Sequence, residues 1–131
     1  MLVFLLYSVF ISLKGWISRS GLSLLNIRIN AFTVSFAHLQ LFIGIILYFI
    51  SPKVMFSADA MQSPIVRFFT AEHISMMIIA IVLLTIGGMK VKRTNDHLKA
   101  AKITFIWFTI ALIIILAAIP WPFRHLGAGW I

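Results

Sequence analysis

The sequence predicts an all-α integral membrane protein, an up-and-down four-helix bundle that forms a single domain over residues 1–131. Its residues are 62% hydrophobic and only 11% charged, whereas soluble domains carry about 25% charged residues. The apolar residues form continuous runs rather than alternating with polar ones, which favours helices over barrel strands. The chain has a net charge of +8, but its basic residues cluster in short connections between the runs. That placement is typical of membrane orientation signals. We therefore expect a lipid bilayer as solvent and no nucleic acid partner.

The first apolar run, MLVFLLYSVFISL, ends at Lys14 and is shorter than the roughly 20 residues that span a bilayer. Lys14 can extend its ammonium group toward the interface, and Trp16 can mark that interface. The run lacks the basic start and small-residue cleavage site of a signal peptide. We predict a transmembrane helix at about 1–18. We also expect that its opening turn is missing because Met1 is internal to a longer natural chain.

Three longer runs predict helices at about 29–51, 66–89 and 100–119, with prolines at the ends of runs. The tight turn VKRTNDHLKAAK makes the third and fourth helices antiparallel neighbours.

Lysine and arginine concentrate in the first and third connections, which predicts that these connections are cytoplasmic. Both termini and the second connection are then outside the cytoplasm. The basic residues of the two connections are Lys14, Arg19 and Arg28, then Lys90, Lys92, Arg93, Lys99 and Lys102.

Two polar side chains, His38 and Gln40, fall in the middle of the second run, where ionisable or polar groups are costly. His38 shares a helix face with Ser35 and Phe42, while Gln40 lies on a stripe with Gly44. Either side chain could form hydrogen bonds between helices or contact a cofactor or quinone. The residues alone favour interhelical hydrogen bonding.

The third run begins with a titratable cluster, RFFTAEHISMM, which contains Arg67, Glu72 and His73. One interpretation is a polar cap at the interface, with Arg67 and Glu72 on slightly different faces because they are five residues apart. The other is an axial haem ligand, since a neutral imidazole in an apolar bundle is a common ligand of haem iron. Arg67 lies about 9 Å further out along the axis and could bind a propionate. Met77 shares the face of His73.

His38 and His73 cannot hold one haem between them. His38 lies about 20 Å, and His73 about 8 Å, from the outer ends of their runs. Because two axial ligands must lie at nearly one height, the second ligand is expected from the outer end of the first helix. His97 is expected to be a solvated turn residue, and His125 lies in the tail beyond Pro120.

Three stretches resemble a family of small four-helix bacterial membrane proteins labelled cytochrome b-like. They are AHLQLFIGIILYFISP (37–52), AEHISMMIIAIVLLTIG (71–87) and IPWPF (119–123). The resemblance runs from about Phe32 to Phe123. Members of the family also carry a histidine near the outer end of the first helix, which has no counterpart here. The matching positions are His38, Gln40, Gly44, Pro52, Glu72, His73, Gly87 and Pro120 to Pro122.

The resemblance implies a haem b electron carrier of the bacterial inner membrane, with His73 as iron ligand and a quinone or redox protein as partner. Only Asp59, Glu72 and Asp96 are acidic, which is too few and too scattered for a hydrolase. A non-enzymatic accessory or structural subunit of a larger membrane complex is the alternative, and the chain could also form a homo-oligomer. A transporter is disfavoured because the runs are intact and nearly uncharged.

Overall fold

A computed structural model describes residues 1–51 and 62–119. They contain long helices and short connections, so the predicted all-α fold is confirmed. The third helix includes a π-helical segment, Phe68–Glu72. The helices are α1 (Leu2–Ile17), α2 (Leu24–Ile50), α3 (Pro64–Lys92) and α4 (His97–Ala118).

Some sequence predictions fall outside the described residues. These include the helix-ending roles of two prolines, a third proline named for the family resemblance, the acidic side chain in the second connection and the histidine of the tail. They concern Pro52, Asp59, Pro120, Pro122 and His125.

Two helices begin earlier than their apolar runs because polar caps start them. Helix α2 begins at Leu24 rather than at residue 29, where the Ser23 hydroxyl accepts a hydrogen bond from the Asn26 N–H at 3.2 Å. Helix α4 begins at His97 rather than at residue 100, where the Asp96 carboxylate accepts from the N–H groups of Leu98 and Lys99. Such caps satisfy N–H groups that have no partner within the helix.

The four helices form an antiparallel bundle in which sequence neighbours are also neighbours in space. Helix α4 packs most extensively against α3 and α1, and α2 packs against α1 and α3. The first and third connections meet, because the N–H of Leu22 donates to the His97 carbonyl at 3.1 Å. We call this the basic end of the bundle, and the opposite end, with Ile50, Pro64 and Ala118, the distal end.

Glycines allow close approach at two helix contacts. A Cβ on Gly87 would lie 2.6 Å from the Cβ of Trp107, so α3 and α4 can pack this closely only with glycine there. Gly21 has a φ of +74°, and a Cβ there would lie 2.6 Å from the His97 carbonyl carbon. Both the conformation and the space at position 21 require glycine.

Helices α2, α3 and α4 are long and apolar enough to cross a membrane. Helix α1 has 16 residues, about 24 Å of helix against a hydrocarbon core of about 30 Å. Large apolar side chains such as Phe10, Ile50 and Val82 are exposed on the bundle surface, as expected where lipid replaces water. These features support a membrane protein, while the orientation of its termini stays a prediction.

Candidate functional site: a lateral cleft beside His73

A cleft of about 480 Å³ lies between the distal halves of α2 and α3. Its volume is within the range of roughly 300–1,000 Å³ that is usual for small-molecule sites. Most of its surface is apolar, with a few polar groups among the aliphatic side chains. We call it the lateral cleft, and its defining residues are Gln40, Gly44 and Tyr48 on α2 and Phe69, His73 and Met77 on α3.

Hydrogen bonds link the two helices near both ends of the lateral cleft. Toward the distal end, the Tyr48 hydroxyl donates to the main-chain carbonyl of Thr70 at 2.8 Å. Toward the basic end, Nε2 of His38 lies 3.3 Å from the hydroxyl oxygen of Thr85. These contacts join α2 to α3 on the distal and the basic side of the cleft. The cleft between them is therefore bounded by hydrogen bonds at both ends.

The imidazole of His73 has a defined tautomer. Its Nδ1 lies 2.7 Å from the main-chain carbonyl of Ala118, and because a carbonyl only accepts, Nδ1 carries the proton. In the neutral ring, Nε2 then bears the lone pair. Histidines that ligate metals usually donate their other N–H to a carbonyl or carboxylate in this way. In this tautomer Nε2 is the ring nitrogen that could accept a hydrogen bond or bind a metal.

A π-helical turn precedes His73, which sequence periodicity did not predict. The N–H of His73 donates to the carbonyl of Phe68, five residues earlier. Single π-turns inside α-helices occur frequently at functional sites. The sequence gives no signal for this turn, since Phe68–Glu72 fits an ordinary apolar helix equally well.

The π-turn also corrects the predicted separation of Arg67 and Glu72. Because the turn brings residues five apart onto one face, Nε of Arg67 lies 3.0 Å from Oε1 of Glu72. The two side chains are 52% and 42% exposed, and neither lines the lateral cleft. Their geometry fits the predicted polar cap and does not place Arg67 as a propionate ligand.

His38 occupies a separate position on the bundle. Its Nδ1 donates to the Val34 carbonyl at 2.8 Å, and its Nε2 contacts Thr85 across the helix interface. Both ring nitrogens are thus engaged, and His38 does not line the lateral cleft. This agrees with the predicted interhelical hydrogen bond.

Gln40 and Met77 lie on opposite walls of the lateral cleft. The side chain of Gln40 forms no hydrogen bond with any residue that the structure describes. Met77 is one turn from His73 on the same helix, so these two side chains cannot take opposite axial positions on one iron.

Gly44 was expected to allow close helix contact, but a Cβ there would meet no atom within 4 Å. Its surface faces the cleft instead.

The predicted second ligand from the first helix has no place in this cleft. No residue of α1 lines it, because α1 and α3 are diagonal in the bundle. His97 is exposed, as predicted for a solvated residue, but it lies at the start of a helix rather than in the turn. It begins α4, and its Nδ1 donates to the Leu22 carbonyl at 2.6 Å.

Within residues 1–51 and 62–119, no three side chains of His, Asp or Glu gather as a metal site. His73 is the only described histidine on the cleft wall.

No protein-family model matches the chain, and searches of curated proteins and of solved structures returned no match. The resemblance to cytochrome b-like proteins therefore stays a prediction.

Proposed function

We propose that this chain is a small cytochrome b-like membrane protein that binds haem b in the lateral cleft and transfers electrons in the bacterial inner membrane. One observation carries the proposal. The imidazole of His73 lines a cleft of about 480 Å³ while its Nδ1 is held by the Ala118 carbonyl. This combination leaves Nε2 as the nitrogen for iron.

The cleft residues fit a flat apolar macrocycle. The walls are largely aliphatic, and at Gly44 the opposite wall has no side chain. A single histidine ligand is sufficient in several classes of haem protein. Haem supplies one-electron chemistry when bound. The chain's own residues hold and orient it through His73, and Gln40 offers an unpaired amide to a polar edge.

The position of the cleft fits electron exchange within the membrane. It lies between two helices that are long enough to cross the bilayer. A quinone dissolved in the lipid, or a redox protein in the same membrane, is therefore the expected partner. The described carboxylates, Glu72 and Asp96, lie outside the cleft.

The test is an absorption spectrum of protein expressed with haem supplied and purified in mild detergent. We expect a Soret band and a reduced-minus-oxidised difference spectrum that His73→Ala abolishes. His38→Gln is the matched control, because it removes the other described intramembrane imidazole at a residue that does not line the cleft, and its amide can still hydrogen-bond to Thr85 across the contact between α2 and α3. A flat difference spectrum for the unmodified protein contradicts the proposal, and so does equal loss in both variants.

An accessory subunit is the second candidate, and one observation favours it. The side chain of Gln40 has no hydrogen-bond partner in the described parts of the chain, and Gly44 beside it meets open space. A helix of another membrane protein would bury both. The chain has no cysteine, so a single Gly44→Cys variant can be labelled cleanly. Protection of that cysteine from a maleimide by a co-purifying protein, together with a flat difference spectrum, would support this candidate.

A further inference from the structure

A second cavity, of about 490 Å³, lies at the basic end of the bundle. It is an open depression bordered by the last turns of α1, the connection at residues 18–23, the first turn of α2 and the start of α4. Its polar lining consists of Lys14, Ser20, Ser23, Asn26 and His97. Ile11 and Leu22 supply an apolar part. We call it the basic-end cavity, and it is separate from the lateral cleft.

The charge around this cavity is strongly positive. Eight lysines and arginines lie in or near the two connections, and Asp96 is the acidic residue there. The Asp96 carboxylate is engaged as the cap of α4 by two N–H groups. Among the described residues, the one salt bridge is Arg67–Glu72 at the other end of the bundle. An anion bound here would therefore relieve repulsion among cations that have no acidic partner.

The cavity lies at the level expected for lipid headgroups. Trp16 is next to Gly15 on its wall, and Nζ of Lys102 lies 5.8 Å from the Trp16 ring centroid. Tryptophan rings concentrate at the membrane interface, and lysines extend toward it. The first turn of α2 adds the positive end of a helix dipole, since Ser23 and Asn26 both line the cavity.

We propose that the basic-end cavity binds the phosphate group of an anionic phospholipid, with Lys14 as its principal cationic contact. The phosphate chemistry is shared with free inorganic phosphate, but the apolar part at Ile11 and Leu22 favours the lipid. Basic pockets between transmembrane helices are a recurrent form of anionic lipid site. This inference is independent of haem binding in the lateral cleft.

The experiment is native mass spectrometry of the detergent-purified chain exposed to equal amounts of phosphatidylglycerol and phosphatidylcholine. We expect preferential retention of phosphatidylglycerol, lowered about fivefold by Lys14→Gln. Lys99→Gln is the matched control, because it removes the same charge at the same end but does not line the cavity. Lys14→Arg keeps the charge and should retain the lipid.

Three results would overturn the proposal. Equal losses in Lys14→Gln and Lys99→Gln would mean that the lipid responds only to net charge. Equal retention of the two lipids would remove the requirement for an anion. Displacement of phosphatidylglycerol by millimolar inorganic phosphate would identify the ligand as free phosphate. Circular dichroism of each variant distinguishes loss of the site from loss of the fold.

Discussion

Nδ1 of His73 donates a hydrogen bond of 2.7 Å to the main-chain carbonyl of Ala118, the last residue of α4. The last four carbonyls of a helix have no partner within it, so this contact satisfies one of them. It also fixes the imidazole tautomer. One hydrogen bond therefore joins the distal ends of α3 and α4 and leaves the lone pair of the neutral ring on Nε2.

The two roles of His73 can be separated by substitution. In His73→Asn the side-chain N–H can take the place of Nδ1–H, but no nitrogen replaces Nε2. We expect stability near that of the unmodified protein and complete loss of the Soret band. In His73→Ala both roles are lost, and the free energy of unfolding should fall by about 1 kcal/mol. Thermal unfolding in detergent and absorption spectra check both results, and a Soret band in His73→Asn would contradict the assignment of Nε2.

Two mid-helix glycines should respond in opposite ways to alanine. In Gly87→Ala the new Cβ would lie 2.6 Å from Trp107, so α3 and α4 must separate and stability should fall by about 1–3 kcal/mol. In Gly44→Ala the Cβ meets nothing within 4 Å. For this variant, the higher helix propensity of alanine predicts that the free energy of unfolding does not fall and rises by up to about 1 kcal/mol. Comparable destabilisation of both variants would contradict the open cleft beside Gly44.

A larger side chain at the same position should block the lateral cleft without unfolding the bundle. Gly44→Leu projects into space that the structure leaves empty, so we expect it to lower haem incorporation at least tenfold while thermal stability is retained. Leu39→Phe is a suitable control, since Leu39 is exposed on α2 and does not line the cleft. Unchanged haem content in Gly44→Leu would place the cofactor elsewhere.

The sequence was sufficient for the fold because continuous apolar runs and short basic connections determine which helices form and pair. It misplaced the starts of α2 and α4, because Ser23 and Asp96 begin helices before the apolar residues do. Hydropathy indicates which residues lie in lipid, whereas a capping residue indicates where the helical backbone begins, and the two positions differ by several residues in these helices.

The candidate site was only partly accessible from the sequence. His73, Gln40 and Met77 were named and do line one cleft. The cleft itself depends on the separation of α2 from α3, which no local pattern encodes. The π-turn before His73 was also hidden, and it pairs Arg67 with Glu72 against the prediction from α-helical spacing.

The Arg67–Glu72 pair should contribute little to stability. Both side chains are about half exposed, and exposed ion pairs typically contribute about 0.2–1 kcal/mol. A double-mutant cycle with Arg67→Gln and Glu72→Gln should give a coupling energy in that range, weakened by added salt. A coupling above about 2 kcal/mol, or one insensitive to salt, would mean that the pair is buried, in a partner interface for example.

Two threonines on α4 test the polar contacts inside the bundle. Nδ2 of Asn30 donates to Oγ1 of Thr104 at 3.0 Å, and both residues are buried. Thr109 has a buried hydroxyl oxygen without a hydrogen-bond partner in the described structure. In Thr104→Val, Asn30 keeps a buried donor with no acceptor, which should cost about 1–3 kcal/mol. In Thr109→Val no hydrogen bond is lost, so stability should be unchanged or higher. Unfolding of the two variants in mixed detergent micelles measures the difference, and equal effects would mean that the Asn30–Thr104 hydrogen bond, which links the diagonal helices α2 and α4, does not contribute to stability.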